Sequence, residues 1–397
     1  MIELFEISAS LIKQTRLDFK RYLYKKINWN DRLIGIKGAR GTGKSTMLLQ
    51  WLKEQNMPIN QAIYFSLDEL YFTKNNLVDT VADFYNKGGK VLILDEVHKY
   101  PGWSASIKNL YDRYTDLKII FTGSSIIDIS RQQADLSRRV MMYDLVGLSF
   151  REYLTFQYNF NFPVLSLEEI LFSSEIISDI LIENFKPYVY FNEYLEKGYY
   201  PFFIEDKIGY HQRLRQLIRT IIEYDMAEMK GFDIRHAKKL LQLLYVVAQQ
   251  VPFKPNIQNL AQKTGIHRNS IMNYLYFLQE AKMIYLTYHE GISVATLQKP
   301  EKIFLENTNL LYALSENKPE SGTVREVFFN NQLNALHRVN HSRSNDFLID
   351  KKYTFEIGGK NKKLNKNIEA DKTWLVKDEI THPVGNNLPI WVFGFLY

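Results

Sequence analysis

The chain has 397 residues, 46% of them apolar and 24% charged, proportions that exclude disordered, collagenous and coiled-coil classes and leave room for two or three domains. With no cysteine, disulfide scaffolds, thiolate zinc sites and cysteine nucleophiles are ruled out, and we expect a cytoplasmic protein. The net charge of +6 is a mild excess that favours polyanion contacts without establishing them, and no apolar run reaches the roughly 18 residues of a membrane span, so no membrane contact is expected.

In chain order, Leu33–Ile36 reads as a short strand, Gly38–Gly43 as a loop and Thr46–Lys53 as a helix. Short apolar strands follow at Ala62–Phe65, Val91–Leu94, Lys118–Phe121 and Val140–Leu145, separated by helical stretches at Asn76–Asn86 and Trp103–Tyr114. This alternation predicts an α/β domain over 1–150, built on a parallel sheet covered on both faces. A helical region is expected over 151–236, broken at Pro187 and at Gly198–Pro201. Over 237–295 a helix precedes a short helix at Ile257–Lys263, a turn at Thr264–Ile266, a second helix at Arg268–Ala281 and a strand at Met283–Tyr288, the pattern of a winged helix. The rest, 296–397, reads as a small α+β domain with a helix at Val324–Leu336 and strands at Phe347–Ile349, Tyr353–Ile357, Thr373–Val376 and Ile390–Phe395.

Gly38-Ala39-Arg40-Gly41-Thr42-Gly43-Lys44-Ser45, followed by Thr46, satisfies G-x-x-x-x-G-K-[ST] between a strand and a helix. Glycines let backbone N–H groups turn inward around phosphates, and the helix start adds partial positive charge. Lys44 would reach the β and γ oxygens of ATP, and Ser45 would ligate Mg²⁺. Val91-Leu92-Ile93-Leu94-Asp95-Glu96 supplies the second carboxylate site. Asp95 would hold Mg²⁺ through water, and Glu96 would orient and deprotonate the attacking water. If the two strands are neighbours, their carboxyl ends face one phosphate crevice. At the end of a further strand, Ser124 or Ser125 is a candidate phosphate sensor, or else a helix N-cap. Arg131, Arg138 and Arg139 either stabilise transition-state charge across a subunit boundary in a homo-oligomer or form surface ion pairs.

On these motifs the chain resembles bacterial and archaeal ATP-binding proteins that join an archaeal-type AAA ATPase module to a C-terminal uncharacterised region. The resemblance also rests on Pro101-Gly102-Trp103, Thr122-Gly123-Ser124-Ser125, Leu148-Ser149-Phe150-Arg151-Glu152-Tyr153, Tyr194 to Pro201 and Tyr224-Asp225. Where that family shows Leu, a small residue, Gly and Arg, this chain reads Leu136-Ser137-Arg138-Arg139, with Arg139 at the family arginine and Arg138 in place of the glycine. The resemblance implies a P-loop ATPase with a helical lid and names the engine, not its task.

In the C-terminal half, Arg268, Asn269, Asn273 and Tyr274 would lie near the exposed start of a recognition helix, where duplex DNA is read. Winged helices on ATPases also serve as packing or protein-contact domains, so a protein partner is the alternative. Glu326, Asp346 and Glu356 resemble the acids of a restriction-endonuclease-like core and form a candidate second metal site. Glycine stands where such a core wants lysine, in Glu356-Ile357-Gly358-Gly359-Lys360, so we read this domain as degenerate and used for binding. The sequence thus predicts a Mg²⁺-dependent ATPase that couples nucleotide state to DNA contact, with an ATP-gated protein switch or an ATP-licensed nuclease as the alternatives.

Overall fold

The computed structural model describes residues 2–124, 136, 138–182, 185–228, 232–289, 299–342, 344–363 and 373–397. Ser125 and Arg131 lie outside the described residues. The chain divides into two compact units between Val146 and Gly147. Of the described residues in the segments 151–236, 237–295 and 296–397, all but Glu228 belong to the second.

The first unit contains α1 (Ile2–Gln14), which the sequence reading did not include, then β1 (Leu33–Gly38), α2 (Lys44–Gln55), β2 (Ala62–Ser66), α3 (Tyr71–Lys74), α4 (Leu77–Asn86), β3 (Val91–Asp95), α5 (Trp103–Arg113), β4 (Lys118–Ser124) and β5 (Met141–Asp144). The five strands form one parallel sheet in the order β2-β3-β4-β1-β5. Alternate residues along each strand point to opposite faces, and the core divides accordingly. Leu33, Ile63, Phe65, Leu92, Leu94, Ile119 and Phe121 pack with α4 and α5 through Val81, Phe84, Ile107 and Leu110. On the other face Ile34, Ile36, Tyr64, Ile93 and Ile120 pack with α2 through Met47, Leu48, Trp51 and Leu52. Each such aliphatic side chain removed from water contributes about 1.5–3 kcal/mol. The strand holding Lys44's loop and the strand ending in Asp95 are not neighbours, as supposed above, because β4 lies between them. Since every strand runs the same way, their carboxyl ends still open at one edge.

The second unit begins with four helices, α6 (Phe150–Tyr158), α7 (Leu167–Phe172), α8 (Ser174–Ile182) and α9 (Pro187–Lys197), followed by α10 (Tyr210–Glu223). Ser149 caps α6 in a reciprocal box with Glu152, which satisfies two helix-start donors. Next come α11 (Ala237–Ala248), α12 (Ile257–Thr264), α13 (Arg268–Glu280) and an antiparallel ribbon of β6 (Ile284–Thr287) with β7 (Lys302–Leu305). Gly265 ends α12 with φ 62°. Then α14 (Thr308–Leu314) and α15 (Ser321–Asn334) precede a five-stranded mixed sheet of β8 (Val339–His341), β9 (Phe347–Ile349), β10 (Tyr353–Gly358), β11 (Thr373–Lys377) and β12 (Asn387–Pro389). Ile390–Phe395 is a 3₁₀ helix and not the predicted strand. All six of its residues are buried, so the run carries no alternation to distinguish strand from helix, and a Cβ on Gly394 would lie 2.5 Å from that of Phe150. No helix among the described residues is long and apolar enough to cross a membrane.

A polar cluster lies inside this unit. Asn309, fully buried, accepts hydrogen bonds from the Tyr199 N–H at 2.9 Å and from the Tyr210 hydroxyl, and donates to the carbonyls of Tyr194 and Leu195 at 3.2 and 3.0 Å. Beside it the buried Glu306 carboxylate accepts from Tyr199 Oη at 2.7 Å and from Asn307, while burial raises its pKa above the ordinary carboxylate value. Buried polar groups stripped of partners cost about 1–3 kcal/mol each. Asn309→Ala is therefore expected to destabilise the second unit by about 2–4 kcal/mol, read as a lower denaturation midpoint. A change below about 1 kcal/mol would show the cluster to be dispensable.

Candidate functional site

The site begins where β1 ends. A Cβ on Gly38 would lie 2.3 Å from the carbonyl oxygen of Leu145, so no larger residue fits there. Gly41 and Gly43 take φ values of 84° and 90°, in the region open at low cost only to glycine, and this turns the chain directly into α2. The Thr42 hydroxyl donates to the Ala39 carbonyl at 2.9 Å, closing the loop on itself. Behind it the buried Arg21 donates to the carbonyls of Thr42 and Val146.

Lys44 is 4% exposed, and its ammonium donates to the carbonyls of Gly38 and Ala39 at 3.0 Å each. An anionic phosphate oxygen makes roughly twice as strong a bond to an ammonium as a neutral carbonyl does. Ser45 is half-buried and Thr46 exposed at the start of α2, where free N–H groups favour anions.

Asp95, the last residue of β3, is 3% exposed. Both of its oxygens accept hydroxyl hydrogen bonds, Oδ2 from Tyr64 on β2 and Oδ1 from Thr122 on β4. Burial and then the Asp95 charge push the ionisation of Tyr64 far above that of an ordinary tyrosine, so it remains a donor. Tyr64 was not singled out from the sequence, and Thr122 only as part of a family motif, without this role. The alternation of β2 carried the signal, since Tyr64 shares the face of Ala62 and a tyrosine hydroxyl buried there needs a partner.

Glu96 follows with φ 52° and ψ 44°, a left-handed conformation that costs a non-glycine residue about 1–3 kcal/mol and recurs at functional sites. Its N–H donates to Thr122 Oγ1 at 3.1 Å, and its Oε2 lies 3.3 Å from Nε2 of the buried His98. Ser124 is buried at the end of β4, in register with Gly38. Lys44, Ser45, Asp95, Glu96 and Ser124 thus stand at the carboxyl ends of adjacent strands. Arg139 does not join them. It precedes β5 at the opposite end of the sheet, with Nε and Nη2 donating to the Asp112 carboxylate at 2.9 and 3.1 Å.

The donor set fits the groups it would hold. Buried ammonium and helix-start N–H groups suit phosphate, and a carboxylate with a serine hydroxyl suits a hard divalent cation such as Mg²⁺.

Residues 30–154 match the family model described as an AAA domain. An AAA domain occupies this stretch. Its P-loop NTPase α/β fold accounts for the parallel sheet. Residues 189–321 match a domain of unknown function (DUF8612). The chain is similar to "Uncharacterized protein MJ1637" of Methanocaldococcus jannaschii, 29% identical over 338 residues covering 76% of this chain and 70% of that protein. Among solved structures it is similar to the Hsp104-ADP complex of S. cerevisiae, with 16% identity, 68% of this chain, 40% of that chain and a TM-score of 0.30. It is also similar to AMPPCP-bound DnaA from Aquifex aeolicus, with 15% identity, 70% and 89% coverage and a TM-score of 0.26. Likeness at these scores fixes nothing about this chain's activity.

Outside the AAA domain, Arg268, Asn269 and Asn273 are exposed along the first turns of α13, whereas Tyr274 is buried, its ring 5.8 Å from that of His236. Tyr274 shares a helix face with Ile271 and Leu278, which assigns it to the core and corrects its placement near the exposed surface. Lys302 Nζ lies 3.0 Å from Glu326 and 3.5 Å from Asp346, and Lys362 Nζ lies 2.7 Å from Glu356. Two lysines therefore pair with the three acids, and among the described residues no group of three or more His, Asp or Glu side chains stands so as to hold a metal ion. A Cβ on Gly358 would lie 2.4 Å from that of Lys362, so Lys362, and not Lys360, fills the space of the missing lysine.

Proposed function

We propose that the protein is a Mg²⁺-dependent ATPase of the AAA type whose nucleotide state governs contact with duplex DNA. The meeting of Lys44, Ser45, Asp95 and Glu96 at one sheet edge carries this reading. Mg²⁺-ATP, when bound, supplies the phosphoanhydride bond and a cation that offsets its charge. Lys44 exchanges two carbonyls for phosphate oxygens, and Ser45 and Asp95 present oxygen donors to the cation. Glu96 takes a proton from the attacking water, with His98 holding its carboxylate. Ser124, beside Gly38, is suited to contact the terminal phosphate.

For the output, exposed Arg268, Asn269 and Asn273 lie on the helix that follows the Gly265 turn, and the β6–β7 ribbon follows them, the order of elements in a winged helix. ATP hydrolysis by the purified chain should require Mg²⁺ and rise with duplex DNA. Arg268→Ala with Asn273→Ala should weaken duplex binding, at a cost of about 1–3 kcal/mol for a base-contacting side chain, while leaving basal hydrolysis unchanged. Binding should also weaken steeply between roughly 50 and 200 mM salt. No duplex binding by the parent, with or without ATP, would replace DNA by a protein partner as the output.

A further inference from the structure

We infer that Tyr64 is a positioning residue for the divalent cation, setting the side chain of Asp95. The inference rests on reading the site as a Mg²⁺-nucleotide site. Tyr64 pairs in register with Ile93, two residues before Asp95, and both Tyr64 and Asp95 point to the α2 face. Two residues along a strand rise about 6.6 Å, a step that the length of a tyrosine spans and that carries its hydroxyl to the Asp95 carboxylate. That hydroxyl donates to Asp95 Oδ2.

Packing does not account for the hydroxyl. Tyr64 is 6% exposed in the apolar layer that includes Ile93 and Leu48, where phenylalanine would bury the same ring without a polar atom to satisfy. On the opposite side Thr122 donates to Oδ1, so the two hydroxyls fix the carboxylate plane between β2 and β4. An ionised carboxylate offers about four lone-pair sites, and two stay open for metal-bound water. Thr122 also accepts the Glu96 N–H at 3.1 Å, which ties the orientation of Asp95 to the backbone of the residue that would act on water.

The test uses the full chain, a fluorescent ATP analogue and a Mg²⁺ titration. In Tyr64→Phe the Mg²⁺ concentration at half-maximal nucleotide binding should rise about tenfold, the scale of one hydrogen bond to a charged group. Nucleotide affinity in EDTA, set by Lys44 and the loop, should stay within about twofold, a distinction that a merely structural tyrosine would not produce. Tyr64→Phe should add no further shift in an Asp95→Asn background, because the effect acts through that carboxylate. An unchanged Mg²⁺ midpoint in Tyr64→Phe, or an equal shift in both backgrounds, overturns the inference and leaves the ATPase reading standing. A parent protein whose nucleotide affinity ignores Mg²⁺ overturns that reading and the inference with it.

Discussion

Glu96→Gln should bind ATP as the parent does and hydrolyse it roughly 10² to 10⁴ times more slowly, the usual contribution of a positioned general base. Glutamine keeps the shape of the carboxylate while losing its basicity. The backbone is already set at φ 52° with its N–H on Thr122, so the substitution leaves the geometry in place. Single-turnover hydrolysis beside equilibrium nucleotide binding separates the two effects. Ordinary turnover in this variant would remove Glu96 from the chemistry. The same variant tests Arg139, whose ion pair with Asp112 keeps it from the site in its own chain. If it serves a neighbouring copy, mixing Glu96→Gln with Arg139→Ala should restore part of the activity each lacks.

Lys44→Ala should lose nucleotide binding itself, by about a hundredfold or more. A buried ammonium bound to phosphate oxygens forms charge-assisted bonds of about 1.5–3 kcal/mol each, and every 1.4 kcal/mol is tenfold in affinity. Alanine favours the helix at this position, so the fold should persist. Thermal unfolding reads both at once, since a ligand that binds only the native state raises the midpoint by an amount set by its concentration over Kd. The parent should gain stability with Mg²⁺-ATP and Lys44→Ala should not, with both melting alike in its absence. A full ATP-induced gain in the variant would contradict the assignment of Lys44.

The two ends of this site differ in how far the sequence discloses them. The loop is contiguous, so Gly38, Gly43, Lys44 and Ser45 announce their roles by spacing alone, and Asp95 with Glu96 closes a short apolar run set between helical stretches, which reads as a buried strand. Tyr64 and Thr122 acquire their roles only once β2 and β4 are known to flank β3, a matter of strand order that no local pattern encodes. In the second unit the obstacle is different. Asn309 and Glu306 are residue types that default to the surface, and only the folded packing of α9, α10 and α14 shows that they are enclosed and partnered. Ile390–Phe395 was misread because a wholly buried run has no polar side from which a period can be taken.

The partition of the parallel sheet into two faces has a consequence for how this domain can change. Tyr64, Asp95 and Thr122 all project toward α2, while Ile63, Phe65, Leu94 and Phe121 project toward α4 and α5. Drift in the α4 and α5 layer can therefore alter solubility, melting temperature or surface character while chemistry on the far side is conserved. Directed evolution of this protein has one layer in which to gain robustness and another in which to alter turnover, and the five strands between them keep the two searches apart.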